Sequence, residues 1–126
     1  MYFEFHEKDK ISYKIFMTKN DAAKTPVDLT SVTEVNVKWL TNPNDKDSAV
    51  LDKTGDGTSA PILILEPKTD GVVEVQLTPI DTDLGLATKD KDACLAHAVQ
   101  IIDNEGPLTL NFDKDNLSIK VKPPLF

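Results

Sequence analysis

Apolar and polar positions alternate strictly in two stretches near the start of the chain. Ile11, Tyr13, Ile15 and Met17 take turns with Ser12, Lys14, Phe16 and Thr18, and Thr33, Val35, Val37 and Trp39 with Glu34, Asn36 and Lys38. A period of two belongs to a strand with one face in a core and the other in solvent. Residues 11–18 and 33–40 are therefore expected to be half-buried strands, and Trp39 falls on the buried face. The pattern returns at 48–53, at 72–78, at 108–112, and in Leu117, Ile119 and Val121. Over 95–102 it sets Leu95, His97, Val99 and Ile101 on one face against Ala96, Ala98, Gln100 and Ile102 on the other. Ile62-Leu63-Ile64-Leu65 is continuously apolar, as expected of a strand buried on both faces or one that meets a partner subunit.

Turn chemistry separates these runs. In Thr25-Pro26-Val27-Asp28-Leu29-Thr30 the oxygens of Asp28 and Thr30 can take nearby backbone N–H groups while Pro26 fixes φ, so the hexamer reads as a corner. Residues 41–47 form a polar loop, 54–58 a glycine-rich turn, Asp103-Asn104-Glu105-Gly106 a hairpin, and 113–116 another turn. Residues 80–92 show no sustained period and read as a crossover loop, with room for one helical turn over 81–86. Short strands at this spacing predict an all-β protein, a sandwich or barrel of about seven to eight strands, and argue against βαβ units.

The corner between the first two alternating strands resembles the start of the immunoglobulin-like β-sandwich domains of tailed-phage structural proteins, such as the N-terminal domain of baseplate upper proteins. In that family an alternating strand leads through a P-V-D-L-T corner into the next. A second element is similar to the family's later strand and exit: Asp70-Gly71-Val72-Val73-Glu74-Val75-Gln76-Leu77-Thr78-Pro79, then Asp81-Thr82 and Leu84. Where the family carries G-x-Y-x-Y before its penultimate strand, this chain has Ala93-Cys94-Leu95-Ala96-His97. The resemblance implies an immunoglobulin-like antiparallel β-sandwich that acts by protein–protein assembly in a bacteriophage or prophage virion, on the tail, the baseplate or the capsid surface. It also implies other virion proteins and further copies of the chain as partners.

Composition narrows the alternatives. A chain of 126 residues makes one domain that buries about 65% of its unfolded surface. No apolar run approaches the roughly 20 residues of a membrane-spanning helix, and residues 1–7 show no secretory leader; no membrane partner is expected. Taken with the phage resemblance, this implies a chain made in the host bacterial cytoplasm that ends in the virion. Cys94 is the only cysteine, so the sandwich holds by packing alone, without an internal disulfide or a cysteine zinc site. Cys94 itself reads as a small packing residue in an apolar strand. The net charge is −7 and all 14 basic residues are lysine, which argues against direct nucleic-acid binding. Lys14, Lys38, Lys120 and Lys122 read as the solvated side of a sheet.

The candidate chemistry is sparse. Asp45/Asp47, Asp81/Asp83, Asp90/Asp92 and Asp113/Asp115 have the D-x-D spacing of a calcium loop, but none continues into a full one; turn chemistry accounts for them. Gly55-Asp56-Gly57 lacks the lysine and hydroxyl residue of a phosphate loop and reads as a plain turn. His6 and His97 have no nucleophile motif beside them, and Asn116-Leu117-Ser118 is a glycosylation sequon without a secretory context. No enzyme, metal or cofactor is expected. Aromatic and proline residues crowd both ends of the sequence, in Tyr2-Phe3-Glu4-Phe5 and Pro123-Pro124-Leu125-Phe126. Residues 1–8 and 123–126 are therefore expected to be apolar arms outside the sandwich, with Tyr2, Phe3, Phe5, Leu125 and Phe126 as the assembly residues. A carbohydrate- or ligand-binding sandwich is the alternative, resting on Tyr2 and Tyr13 as exposed platforms.

Overall fold

The alternating stretches become strands in the computed structural model, which describes residues 2–19, 21–112 and 119–126. The strands are β1 Phe3–His6, β2 Ile11–Phe16, β3 Glu34–Leu40, β4 Ala49–Gly55, β5 Thr58–Ser59, β6 Ile62–Ile64, β7 Val72–Leu77, β8 Ala93–Asp103, β9 Gly106–Phe112 and β10 Ile119–Lys122. Helix is confined, among the described residues, to single 3-10 turns at Lys46–Ser48 and Lys68–Asp70. The turn expected at 113–116, Leu117, the Asp113/Asp115 pair and the sequon at 116–118 lie outside the described residues.

Two sheets result. The larger runs β1-β10-β8-β3-β4, with β9 also on β8, and the smaller runs β2-β7-β6-β5. Phe112 of β9 stands opposite His97 and Ile119 of β10 opposite Leu95, so β9 and β10 lie one after the other along the same side of β8. Pairing is antiparallel except between β1 and β10. In immunoglobulin terms β2, β7 and β6 take the places of strands B, E and D, and β3, β8 and β9–β10 those of C, F and G, with β4 as C′. The expected immunoglobulin-like β-sandwich is thus the observed architecture.

The corner forms as its chemistry suggests. Asp28 Oδ1 accepts the Thr30 N–H at 2.9 Å and also the Thr30 hydroxyl, and Leu29 is fully buried. The corner closes on a second turn: Leu29 N–H donates to the Lys68 carbonyl, and Val27 N–H to that of Met17, each at 3.0 Å. Gly71 follows with φ +69°, and a Cβ there would stand 2.6 Å from the Met17 carbonyl oxygen. Only glycine meets both conditions.

Between the sheets lie Ile15, Ile62, Val73 and Val75 on one side and Val35, Val37, Trp39, Leu95, Val99 and Ile119 on the other. Packing is not the only tie. Trp39 and His97 are cross-strand partners in the larger sheet, and Tyr13 reaches them from the smaller one. The Trp39 Nε1–H donates to Tyr13 Oη at 3.0 Å, and Tyr13 Oη lies 3.0 Å from His97 Nε2. Tyr13 is on the B-like strand, His97 on the F-like strand and Trp39 on the C-like strand. Immunoglobulin domains place their inter-sheet disulfide and its tryptophan on these same three strands, so hydrogen bonds join the sheets where a disulfide would.

Candidate assembly surfaces

The apolar residues at the two ends of the sequence part company. Phe3 and Phe5 do not form an arm outside the sandwich: both lie on β1, which pairs in parallel with β10 through Phe3↔Ile119 and Phe5↔Val121. Phe5 is only 6% exposed, with its ring 5.3 Å from that of Trp39, and Phe3 stacks on Tyr13 at 4.6 Å. Alternation explains the correction, since Phe3 and Phe5 face the core while Glu4 faces solvent. Tyr2, Leu125 and Phe126 remain exposed, the first two at 64% and 69%. The root of the 123–126 segment is fixed, because His6 Nδ1 lies 2.8 Å from the Pro123 carbonyl oxygen.

A carboxylate that sequence reasoning passed over holds β1 in place. Glu7 is 3% exposed, and its two oxygens accept the backbone N–H groups of Gly85, Leu86 and Ala87 at 3.0, 2.9 and 2.8 Å. Its own N–H donates to Lys122 at 2.9 Å. Burying a carboxylate is costly unless its oxygens are satisfied by donors, and the crossover loop over 80–92 supplies three. The same loop is tied again by Thr82, whose buried hydroxyl donates to the Asp9 carbonyl at 2.6 Å. Lys53 meets Asp81 at 2.6 Å, and Asp92 meets Lys120 at 3.4 Å.

Each sheet also has an outer face. On the larger, a transverse ladder of side chains crosses four strands: Thr54 donates to Asn36, Asn36 to Gln100, and Gln100 to Thr109, at 2.6, 3.3 and 3.1 Å. Lys38 and Asp52 stand beside it at 3.7 Å. On the smaller sheet, Lys14 pairs across strands with Glu74, and Phe16, 66% exposed, with Val72. Cys94 does not pack in the core. It is exposed on the outer face of the larger sheet, opposite Lys120, because the inward positions of β8 are Leu95, His97, Val99 and Ile101.

Aspartates in the described D-x-D pairs serve turns and ion pairs. Asp45 accepts the N–H of Asp47, and Asp81 that of Thr78, both at 2.9 Å. Asp56 accepts the N–H and hydroxyl of Thr58. Among the described residues, no group of three or more His, Cys, Asp or Glu is placed to hold a metal ion, and no helix is long and apolar enough to cross a membrane. The arrangement offers surfaces and edges for contact. No family model and no curated protein matches the chain.

Proposed function

We propose that this chain is a structural component of a bacteriophage or prophage virion, on the tail, the baseplate or the capsid surface, that acts by docking on other virion proteins and on copies of itself. The corner over 25–30 carries the reading. Its residues are those of the resemblance to baseplate upper proteins, and they close the path from β2 to β3 with Leu29 in the core. The second resembling element coincides with β7 and its exit, where Thr82 is buried and Asp81 is engaged by Thr78 and Lys53. Exposed Tyr2, Leu125 and Phe126 offer apolar contact area of the kind that assembly covers. A glycan-binding role has less support, since Tyr13 and Trp39 are taken up in the inter-sheet hydrogen bonds.

Quantitative peptide mass spectrometry on purified particles induced from the source strain tests the proposal. The expected result is this chain at a fixed copy number relative to the major capsid and tail-tube proteins, with the ratio separating a capsid-surface role from a baseplate one. Absence from intact particles would overturn it.

A further inference from the structure

We infer that β1 is an exchangeable strand, and that two copies of this chain form a dimer in which each lays residues 3–7 into the slot of the other. The inference concerns self-association alone and stands without the virion assignment.

The slot is defined on three sides. Along its edge, β10 offers a parallel partner for four residues, and among the described residues β1 has no second strand beside it in the sheet order. Beneath lie the rings of Tyr13 and Trp39, which receive Phe3 and Phe5. At its end the N–H groups of Gly85, Leu86 and Ala87 receive the Glu7 carboxylate. An identical segment from a second copy would make every one of these contacts. The slot therefore does not favour its own strand over another copy's, and the connection between β1 and β2 decides.

That connection is short and strained. Lys8 has φ +68°, a left-handed conformation that residues with a Cβ rarely adopt. The hydrogen bonds that close the turn are long: Asp9 N–H to the His6 carbonyl at 3.3 Å and Lys8 N–H to that of Thr82 at 3.4 Å. Just beyond, the Asp9 carbonyl is fixed by the Thr82 hydroxyl at 2.6 Å, so the strain is confined to Lys8. In an exchanged dimer Lys8 is free to be extended, both slots stay filled, and the left-handed turn is gone. Short hinges under strain are the ones that favour exchange.

The experiment uses the full chain. Glu4 and Lys120 are cross-strand partners, so Glu4→Cys and Lys120→Cys are introduced in separate chains. Both carry Cys94→Ser, because Cys94 stands next to Lys120 on β8. The two chains are mixed, loosened in mild denaturant, returned to buffer at high protein concentration and oxidised with oxidised glutathione. Exchange predicts a disulfide-linked heterodimer from the mixture and none from either chain alone. In the unmodified chain, light scattering should show a dimer fraction that falls several-fold with Lys8→Gly, which accepts positive φ, and rises with Lys8→Val, which resists it. No cross-linked heterodimer, or a dimer fraction indifferent to both Lys8 substitutions, would overturn the inference.

Discussion

Tyr13 shows how one hydroxyl can stand where a covalent cross-link is absent. The indole N–H of Trp39 can only donate, so Tyr13 Oη accepts from it, and the same oxygen shares a hydrogen bond with His97 Nε2 whose direction follows the His97 tautomer. Burial pushes the Tyr13 hydroxyl well above the ordinary tyrosine range, with the Trp39 hydrogen bond pulling weakly the other way. Its folded value is raised, so its stabilisation is complete below the unfolded value of about 10 and is lost as pH climbs beyond it. Tyr13→Phe removes the acceptor of the buried Trp39 N–H and the hydrogen bond between the sheets to His97, and should cost about 1–3 kcal/mol in urea unfolding at neutral pH. The variant should also lose stability less steeply than the parent between pH 10 and 11.5. Equal slopes would place that hydroxyl in water. Trp39 could be assigned to the core from its place in the alternation, whereas His97 could not be assigned to either face: a histidine in a period-two run carries no sign of what it will bond.

At the scale of elements, legibility follows the length of the pattern. Strands β2, β3 and β7 each carry six or more residues of alternation, and their faces could be read directly. Strand β1 has four residues and pairs in parallel with β10 from the far end of the chain. A lone aromatic-polar-aromatic triplet reads equally as a loose arm, and only the slot beside β10 turns it into a strand. The Glu7 latch had no sequence signal at all, because its partners are backbone N–H groups in a loop without periodicity. Exchanging the carboxylate for an amide tests the latch. Glu7→Gln keeps one acceptor oxygen of the two and sets an NH2 group against a backbone N–H. It should cost about 1–3 kcal/mol, and hydrogen exchange at Gly85, Leu86 and Ala87 should accelerate together. Unchanged protection of those three amides would mean that the loop holds itself and that Glu7 merely fills space.

For the whole molecule, acid acts through two separable processes. With a net charge of −7 at neutral pH and a pI near 4.7, the chain passes through zero charge as it is acidified, and solubility should be lowest there. Unfolding begins lower. Burial works to raise the Asp81 carboxyl, but the Lys53 ammonium and the Thr78 N–H outweigh it, and the net direction is down. Asp21, Asp28 and Asp56 are lowered as well, through hydrogen bonds from Thr25, Thr30 and Thr58. A lowered folded value gives stability that is complete above the unfolded value of about 4 and is lost as pH falls through the folded one. All four carboxylates therefore push the same way in the same window, and Asp81, the least exposed of them and paired with Lys53 at 2.6 Å, should contribute most. Asp81→Asn is expected to lower stability by about 1 kcal/mol at pH 7 and to flatten the decline between pH 4 and 2, as read from urea midpoints across that range. A variant whose acid decline matched that of the parent would shift the weight to the three exposed aspartates and would leave the contact between Lys53 on β4 and the 80–92 loop without a role in holding the two sheets together.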